Sequence, residues 1–337
     1  MEHSDSLDRF DALVTRRTDG HTQSAIEPLD VSQLTAGEVV LKTRYAGVNY
    51  KDSLAITGRA KIITEFPRVA GIEAVGEVIR SDADGFAPGD GVLVHGFQTG
   101  IAYDGGFAER VRVSADHLQL VPNGLTQRQT AVLGVPGFTV AMALDRFEAN
   151  GLRPDAGPIA VSGATGAVGM LAIAILAQAG YEVAAITRRM AQTEVLRKLG
   201  ATEVIDAGQT LSTRPLESAR FSAAIDNVGG QTLSWLLRSM KDGGQLASVG
   251  NASGNTYDGS VLPFIMRRVQ MFGIVANASW PERRRLWGKL ASDWKPDFAV
   301  VEPHVSMIPL VDLLPQAERQ LSGQTTGRTI VAFGDRS

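Results

Sequence analysis

A chain of 337 residues with 44% hydrophobic and 20% charged side chains has the balance of a soluble globular protein, long enough for two domains of ordinary size. A formal net charge of −3 argues against a general nucleic-acid binder, and no apolar run approaches the ~20 residues that span a bilayer. The absence of cysteine excludes disulfides, thiol nucleophiles and thiolate metal sites, and it fits a cytoplasmic protein.

Met1 to Asp8 are polar, without the apolar core of a secretory signal, and read as a loose tail before the first strand. From residue 10 to about 125 the chain reads as short strands and turns. Phe10–Val14, Val39–Tyr45, Glu77–Ile79, Gly91–Val94 and Phe107–Val113 are β-rich, and Pro88-Gly89-Asp90 and Gly105-Gly106 punctuate them. That texture predicts a small barrel or partly open sandwich. From 126 the rhythm changes. Helices over Gln127–Leu144, Ala167–Ala179 and Thr193–Leu199 alternate with strands at Pro158–Val161, Glu182–Ile186 and Glu203–Ile205. Strands at Ser222–Asp226 and Gln245–Val249 continue the pattern, which predicts a doubly wound parallel sheet. Beyond 265 come an apolar strand, Val269–Val275, a helix, Pro281–Trp294, and a last strand, Arg328–Phe333. Trp280, Trp287 and Trp294 recur every seven residues, as on a packed helix face. The expected domains are therefore 1–125, 126–265 and a closing segment, 266–337.

The five histidines, His3, His21, His95, His117 and His304, share no i, i+4 spacing, and no pair of carboxylates stands beside one. A zinc site needs three or four clustered ligands, so no metal is expected.

Ser162-Gly163-Ala164-Thr165-Gly166-Ala167-Val168-Gly169 follows a strand and opens a helix. Small residues let a backbone approach a pyrophosphate, and a helix N-terminus offers unpaired N–H groups and positive dipole. The spacing is G-x-x-G-x-x-G, and packing alone is the competing explanation. The strand, the helix and the βαβ units that follow favour a dinucleotide. An NAD site usually carries an acid at the end of the second strand. Here that strand ends Ile186-Thr187-Arg188-Arg189, while Glu182 lies at its wrong end and Glu194 in the next helix. Two guanidiniums and a hydroxyl suit a 2′-phosphate, so NADP(H) is expected over NAD(H).

Ala46-Gly47-Val48-Asn49-Tyr50-Lys51-Asp52-Ser53 leaves a strand and enters a helix. Asn49 at the N-cap and Asp52 at N3 both suit the positive end of that helix. The residues themselves leave capping and chemistry open.

Several stretches are similar to the zinc-free quinone oxidoreductase type of the medium-chain dehydrogenase/reductase superfamily, in its acrylyl-CoA reductase (YhdH/AcuI-like) branch. They are Asn49–Gly58, Ser162–Gly169, Ala224–Gly229, Pro263–Arg267 and Gly327–Val331. The resemblance implies an α/β fold: a GroES-like β-barrel domain from the N-terminal third and the C-terminal tail, with a Rossmann domain between and the site in their cleft. Zinc-dependent relatives carry a cysteine where this chain has Asn49, and Gly-His-Glu where it has Gly71-Ile72-Glu73. The implied chemistry is NADPH-dependent reduction of an activated C=C bond: hydride goes to the β-carbon, a proton goes to the α-carbon, and charge grows on the carbonyl oxygen. Asn49 would lie beside the nicotinamide and donate from its amide, with Asp52 orienting its neighbours and Tyr50 either a donor or core. The stretch Gly58–Ile63 lacks the tyrosine that some relatives use, which leaves the proton donor open, water included. Thr187, Arg188, Arg189, Asn227 and Gly250 join the glycine turn as cofactor residues. Arg328 and Arg267 would meet a cofactor phosphate or form structural salt bridges. Arg59 and Lys61 would meet a CoA phosphate or lie in a solvated loop, and the loop His95–Asp104 is expected to border the site. A quinone or free enal/enone reductase, and a non-catalytic NADPH-binding protein, are the competing functions. Val269–Val275 is expected at a sheet edge and so to pair two copies in a homodimer.

Overall fold

The computed structural model describes residues 9–211 and 214–334. The tail expected at Met1 to Asp8 lies outside them. The chain divides into two compact units, Met1–Val135 with Val305–Ser337, and Pro136–His304. The breaks fall after 135 and 304, where the sequence reading placed them after 125 and 265. Two local reasons account for the shift. The first turns of a long helix belong to the first unit, and residues 266–304 add a strand and two helices to the second.

The first unit begins with a hairpin, β1 (Arg9–Thr18) and β2 (His21–Asp30), in register from Arg9↔Asp30 to Thr18↔His21. Asp19 and Gly20 between them have φ of 51° and 81°. A two-residue turn with both φ positive is type I′, whose twist matches the strands it joins. β3 (Val39–Val48) leads into the short helix α1 (Tyr50–Ile56), followed by β4 (Arg68–Val69), β5 (Glu73–Ser81), β6 (Gly91–His95), β7 (Arg110–Val113) and β8 (Leu118–Leu120). β2, β1 and β4 form one small sheet.

α2 (Gln127–Ala149) begins in the first unit and ends in the second, where β9 (Ile159–Val161), α3 (Ala167–Gln178), β10 (Val183–Thr187), α4 (Thr193–Lys198) and β11 (Glu203–Asp206) follow. Then follow β12 (Phe221–Asp226), α5 (Gly230–Arg238), β13 (Met240–Ser248), α6 (Leu262–Arg267), β14 (Gln270–Gly273), α7 (Trp280–Leu290) and α8 (Phe298–Val301). The six strands β9–β14 are all parallel, in the order β11-β10-β9-β12-β13-β14. This is the doubly wound order, and its direction reverses between β9 and β12. Runs such as Val183–Thr187 and Phe221–Asp226 are buried throughout, as strands covered on both faces require. α3 is buried from Gly169 to Leu176 and apolar on every side, so it lies within the core rather than on it.

The chain then returns to the first unit with β15 (Val305–Ile308), α9 (Leu313–Leu321) and β16 (Arg328–Ala332). These strands complete a seven-stranded sheet, β15-β16-β3-β5-β6-β8, with β7 also on β3. Leu13, Val48, Ile56, Phe107, Leu313 and Val331 pack into a core that joins both sheets of this unit to α1 and α9. α2 is interrupted at Gly134, whose φ of 45° and ψ of −149° lie outside any helix, and Pro136 follows. The expected helix Pro281–Trp294 stops at Leu290. Trp287 is nonetheless fully buried, stacked at 6.1 Å on Phe138.

Candidate active site

In the first unit, β3 ends where α1 begins, and Asn49 stands at the junction in an extended conformation. Asp52, at N3, accepts from the Asn49 backbone N–H at 2.9 Å, so the capping expected from the sequence is present on the aspartate side. Its other oxygen accepts from Ile72 N–H at 3.0 Å. The Asn49 amide is turned elsewhere. Its Nδ2 donates to Glu73 Oε1 at 2.8 Å and to Asp52 Oδ2 at 3.1 Å, while its Oδ1 accepts from Arg328 Nη1 at 3.1 Å. Arg328 also pairs with Glu73 at 2.5 Å and donates to the carbonyls of Ala131 and Val48. The second Glu73 oxygen accepts from Val135 N–H at 2.8 Å.

Strand register makes this arrangement. β16 pairs with β3 through Thr329↔Val48, so Arg328 comes opposite Asn49, and Glu73 opens β5 on the other side of β3. Two glycines leave the space. A Cβ on Gly47 would lie 1.8 Å from Arg328 Nη2, and one on Gly134 would lie 2.2 Å from Glu73 Oε2. Glu73 and Arg328 are 3% and 2% exposed. A charge so buried is tolerated only when paired and hydrogen-bonded, as both are. Of the two expectations for Arg328, the structure shows the salt bridge: its guanidinium forms a buried ion pair with Glu73 inside the first unit. Arg267 donates instead to the backbone carbonyls of Glu217, Arg238 and Met240.

Asp52 is fully buried. Desolvation drives its carboxyl up to about 7, the Asn49 and Ile72 N–H groups oppose the rise, and the nearby charge of Glu73 adds to it. Tyr50 is 37% exposed at the first turn of α1, so it is not core. Arg59 pairs with Glu318 across α1 and α9, and Lys61 is exposed. In the loop His95–Asp104, Phe97 and Gln98 have positive φ, and Phe97 stacks on His117 at 4.7 Å. Asp104 holds the loop by accepting from Val69 N–H and Thr35 N–H. Among the described residues no three His, Cys, Asp or Glu side chains are grouped to hold a metal. Zinc does not fit here: the donors at 49 and 72 are an amide and an alkyl chain, and Arg328 occupies Glu73.

The second unit carries the glycine turn at the point where the strand order reverses. Gly166 caps α3 without a side chain, and Met170 N–H makes the first intrahelical bond, to Gly166. The N–H groups of Ala167, Val168 and Gly169 precede it and have no helical acceptor. A Cβ on Gly169 would lie 2.4 Å from Gly163 O, so this glycine lets the helix close on the turn. Gly163, at φ 58°, makes the turn itself. Gly163, Gly166, Ala167 and Val168 reach the surface, whereas Ser162, Thr165 and Gly169 are buried. Ser162 Oγ donates to Asp226 Oδ1 at 2.6 Å and accepts from Asn227 N–H at 2.8 Å. Asn227 Nδ2 donates to Ser162 O at 2.7 Å, and Asp226 Oδ2 accepts from Gly229 N–H at 2.8 Å. Burial raises the Asp226 carboxyl against these hydrogen bonds. Ser162 thus ties the two loops together and does not line a surface.

Gly250 packs on Asn227, since a Cβ there would lie 2.4 Å from Asn227 O. Asn227 Oδ1 is buried with no hydrogen-bond partner. Arg189 Nη1 donates to Thr165 Oγ1 at 3.0 Å and its backbone N–H to Thr187 Oγ1 at 2.9 Å, while Arg188 is exposed. The turn, the open helix end and the arginines fit a dinucleotide phosphate. Sequence reasoning missed Glu73 and Asp226 as organising groups. The available signal was an acid opening or ending an otherwise apolar strand.

The alcohol dehydrogenase GroES-like domain model matches residues 35–123, and the zinc-binding dehydrogenase model matches residues 167–292. The chain is 38% identical over 327 residues to the acrylyl-CoA reductase AcuI of Ruegeria pomeroyi, covering 96% of this chain and 98% of that protein. It is 34% identical over 328 residues to YhfP of Bacillus subtilis, which carries the name of a quinone oxidoreductase, covering 96% and 98%. The YhfP structure, solved with NAD bound, superposes with a TM-score of 0.91. The yhdH oxidoreductase of Salmonella enterica, solved with NADP, also gives 0.91 at 37% identity, covering 96% of this chain and 100% of that one. The chain belongs to the medium-chain dehydrogenase/reductase superfamily, in the acrylyl-CoA reductase (YhdH/AcuI-like) branch of its quinone oxidoreductase-type members.

Proposed function

We propose that the protein reduces the C=C bond of an α,β-unsaturated acyl-CoA with NADPH, taking acryloyl-CoA to propanoyl-CoA without a metal. One observation carries the reading: likeness to an acrylyl-CoA reductase extends over 96% of the chain and so includes both the glycine turn and the Asn49–Asp52 segment. Bound NADPH supplies a hydride to the β-carbon, and the α-carbon takes a proton. The chain's own groups do the rest. The open N–H groups of Ala167 and Val168, beside Gly163 and Gly166, donate to the pyrophosphate. Arg188 and Arg189, beside Thr165 and Thr187, take the 2′-phosphate. Asn227 and Gly250 shape the neighbouring wall. Asn49 meets the charge that develops on the thioester carbonyl oxygen, Asp52 steadies it, and Tyr50 stands exposed beside them as a further donor.

The same reading makes the protein a cytoplasmic homodimer; among the described residues no helix is long and apolar enough to cross a membrane. A second reading, reduction of quinones or free enals and enones, is favoured by the name of the Bacillus relative. Following NADPH absorbance with acryloyl-CoA, crotonoyl-CoA, acrolein and small quinones separates the two. Acryloyl-CoA should be turned over best, and activity should fall when CoA is removed from the substrate. Faster turnover of quinones than of any thioester would transfer the assignment to the second reading. NADPH binding with no turnover of any substrate would leave a cofactor-binding protein without catalysis.

A further inference from the structure

Resting on the reading of Asn49 as the group at the reacting end, we propose that Glu73 and Arg328 are positioning residues, a buried ion pair that fixes the Asn49 amide so that one Nδ2 hydrogen is available to the substrate's developing oxyanion. An arginine can only donate and a carboxylate can only accept. With Arg328 Nη1 at 3.1 Å from Oδ1 and Glu73 Oε1 at 2.8 Å from Nδ2, the amide has one workable orientation. Flipping it would set donor against donor and oxygen against oxygen.

The two Nδ2 hydrogens then differ. One is held by Glu73. The other meets Asp52 Oδ2 at 3.1 Å, and that oxygen already accepts the Asn49 backbone N–H at 2.9 Å. The remaining Asp52 oxygen has Ile72 N–H at 3.0 Å. A substrate oxygen that takes the second hydrogen in place of Asp52 Oδ2 therefore leaves Asp52 a donor on each of its oxygens. The hydrogen on Glu73 is the more tightly held, at 2.8 Å against 3.1 Å for the one on Asp52. The pair is braced from both sides by the carbonyls of Val48 and Ala131 and by Val135 N–H.

Stability alone does not account for the arrangement. A buried ion pair often adds nothing over an apolar pair of the same volume. Yet this one occupies space left by two glycines, Gly47 and Gly134, the second of which interrupts a 23-residue helix. What such a pair provides is direction. Both charged ends point at one amide.

The test uses the full-length protein and two variants. Glu73→Leu combined with Arg328→Met removes both charges together, so neither is stranded. Arg328→Lys keeps a cation for Glu73 but loses the forked contact with Asn49 Oδ1. The Asn49 side-chain amide is observed by NMR with ¹⁵N-asparagine, and Asn49→Asp identifies its signals. In wild type the two hydrogens should be distinct and slow to exchange. In either folded variant their exchange should speed up about tenfold or more, and kcat on acryloyl-CoA should fall at least about tenfold with KM within about threefold, a smaller loss than the about 10²–10³-fold for deleting an oxyanion donor itself. NADPH affinity, measured separately, should not move. Protected amide hydrogens together with wild-type kcat in a folded variant would overturn the proposal. A wild-type enzyme inactive on every thioester would overturn the acyl-CoA reading instead, while the amide signals still decide the positioning role.

Discussion

Asp52 is a carboxyl group that water does not reach, and its proton is held to about pH 7. An unfolded chain releases that proton near the ordinary aspartate value of 3.8. The sign follows from linkage. The folded state binds the extra proton between these values, so folding loses stability as pH rises from about 4 to about 7, and the penalty is complete above that. The full effect is on the order of 4 kcal/mol. Asp52→Asn removes the titration, so its stability relative to wild type should improve from pH 5 to pH 8 in urea denaturation; a pH-independent difference would show that Asp52 does not titrate in this range. Asn49 gives the companion prediction. Asn49→Asp keeps size and capping ability but places an acceptor against Glu73 Oε1, so turnover should fall about 10²–10³-fold, the scale for one lost oxyanion donor. Wild-type kinetics in the folded variant would return Asn49 to a capping role alone. Asn49 and Asp52 were legible because their spacing is local, three residues on one helical turn. The partners that orient Asn49 were not, because Glu73 and Arg328 are 255 residues apart and only strand register brings them together.

Elements show the same division between local and distant causes. The strands around the glycine turn were legible as short apolar runs between helical periods, because a sheet covered on both faces needs them. β2 escaped notice because half of its residues are exposed, none is buried and its pattern is mixed, although the Asp19-Gly20 turn was the available signal. The interruption of α2 was also unread: Gly134 and Pro136 occur in an apolar stretch, and the reason for the glycine lies in a carboxylate from another element. Gly134→Ala should therefore cost about 1–3 kcal/mol from backbone strain alone, and more from the contact with Glu73 Oε2. Thermal melts test the cost, and a variant as stable as wild type would mean that the break is not needed. The loop after β10 yields a prediction about binding. Arg188→Ala removes one charge-assisted contact, worth about 1.5–3 kcal/mol, so NADPH affinity should fall about 10–150-fold. NADH affinity should barely change. Equal losses for the two cofactors would remove the 2′-phosphate from this loop. The comparison is informative because relatives of similar identity were solved with NADP in one case and NAD in the other.

At the scale of the whole molecule the open question is how many copies act together. A six-stranded sheet has two edges, and here they differ in chemistry. β11 ends the sheet on one side with Glu203 and Asp206, and Glu203 is paired with Arg220 at 2.8 Å. Charges on an edge strand discourage a second chain from adding to it. β14 ends the other side as Gln270-Met271-Phe272-Gly273, with no charge. Flanking it in the sequence, Val261, Ile265, Met266 and Val275 are 65%, 70%, 63% and 76% exposed. An uncharged edge strand with exposed apolar residues before and after it in the chain suits a self-complementary contact, since a two-fold axis sets the same edge against itself. The expected outcome is a dimer at micromolar concentration in sedimentation velocity. Ile265→Lys with Val275→Lys should shift the protein toward monomer without changing NADPH affinity, because neither residue belongs to the glycine turn or to the arginine loop. A wild-type monomer at micromolar concentration would count against pairing through β14. A double variant that stays dimeric would place the contact on another face.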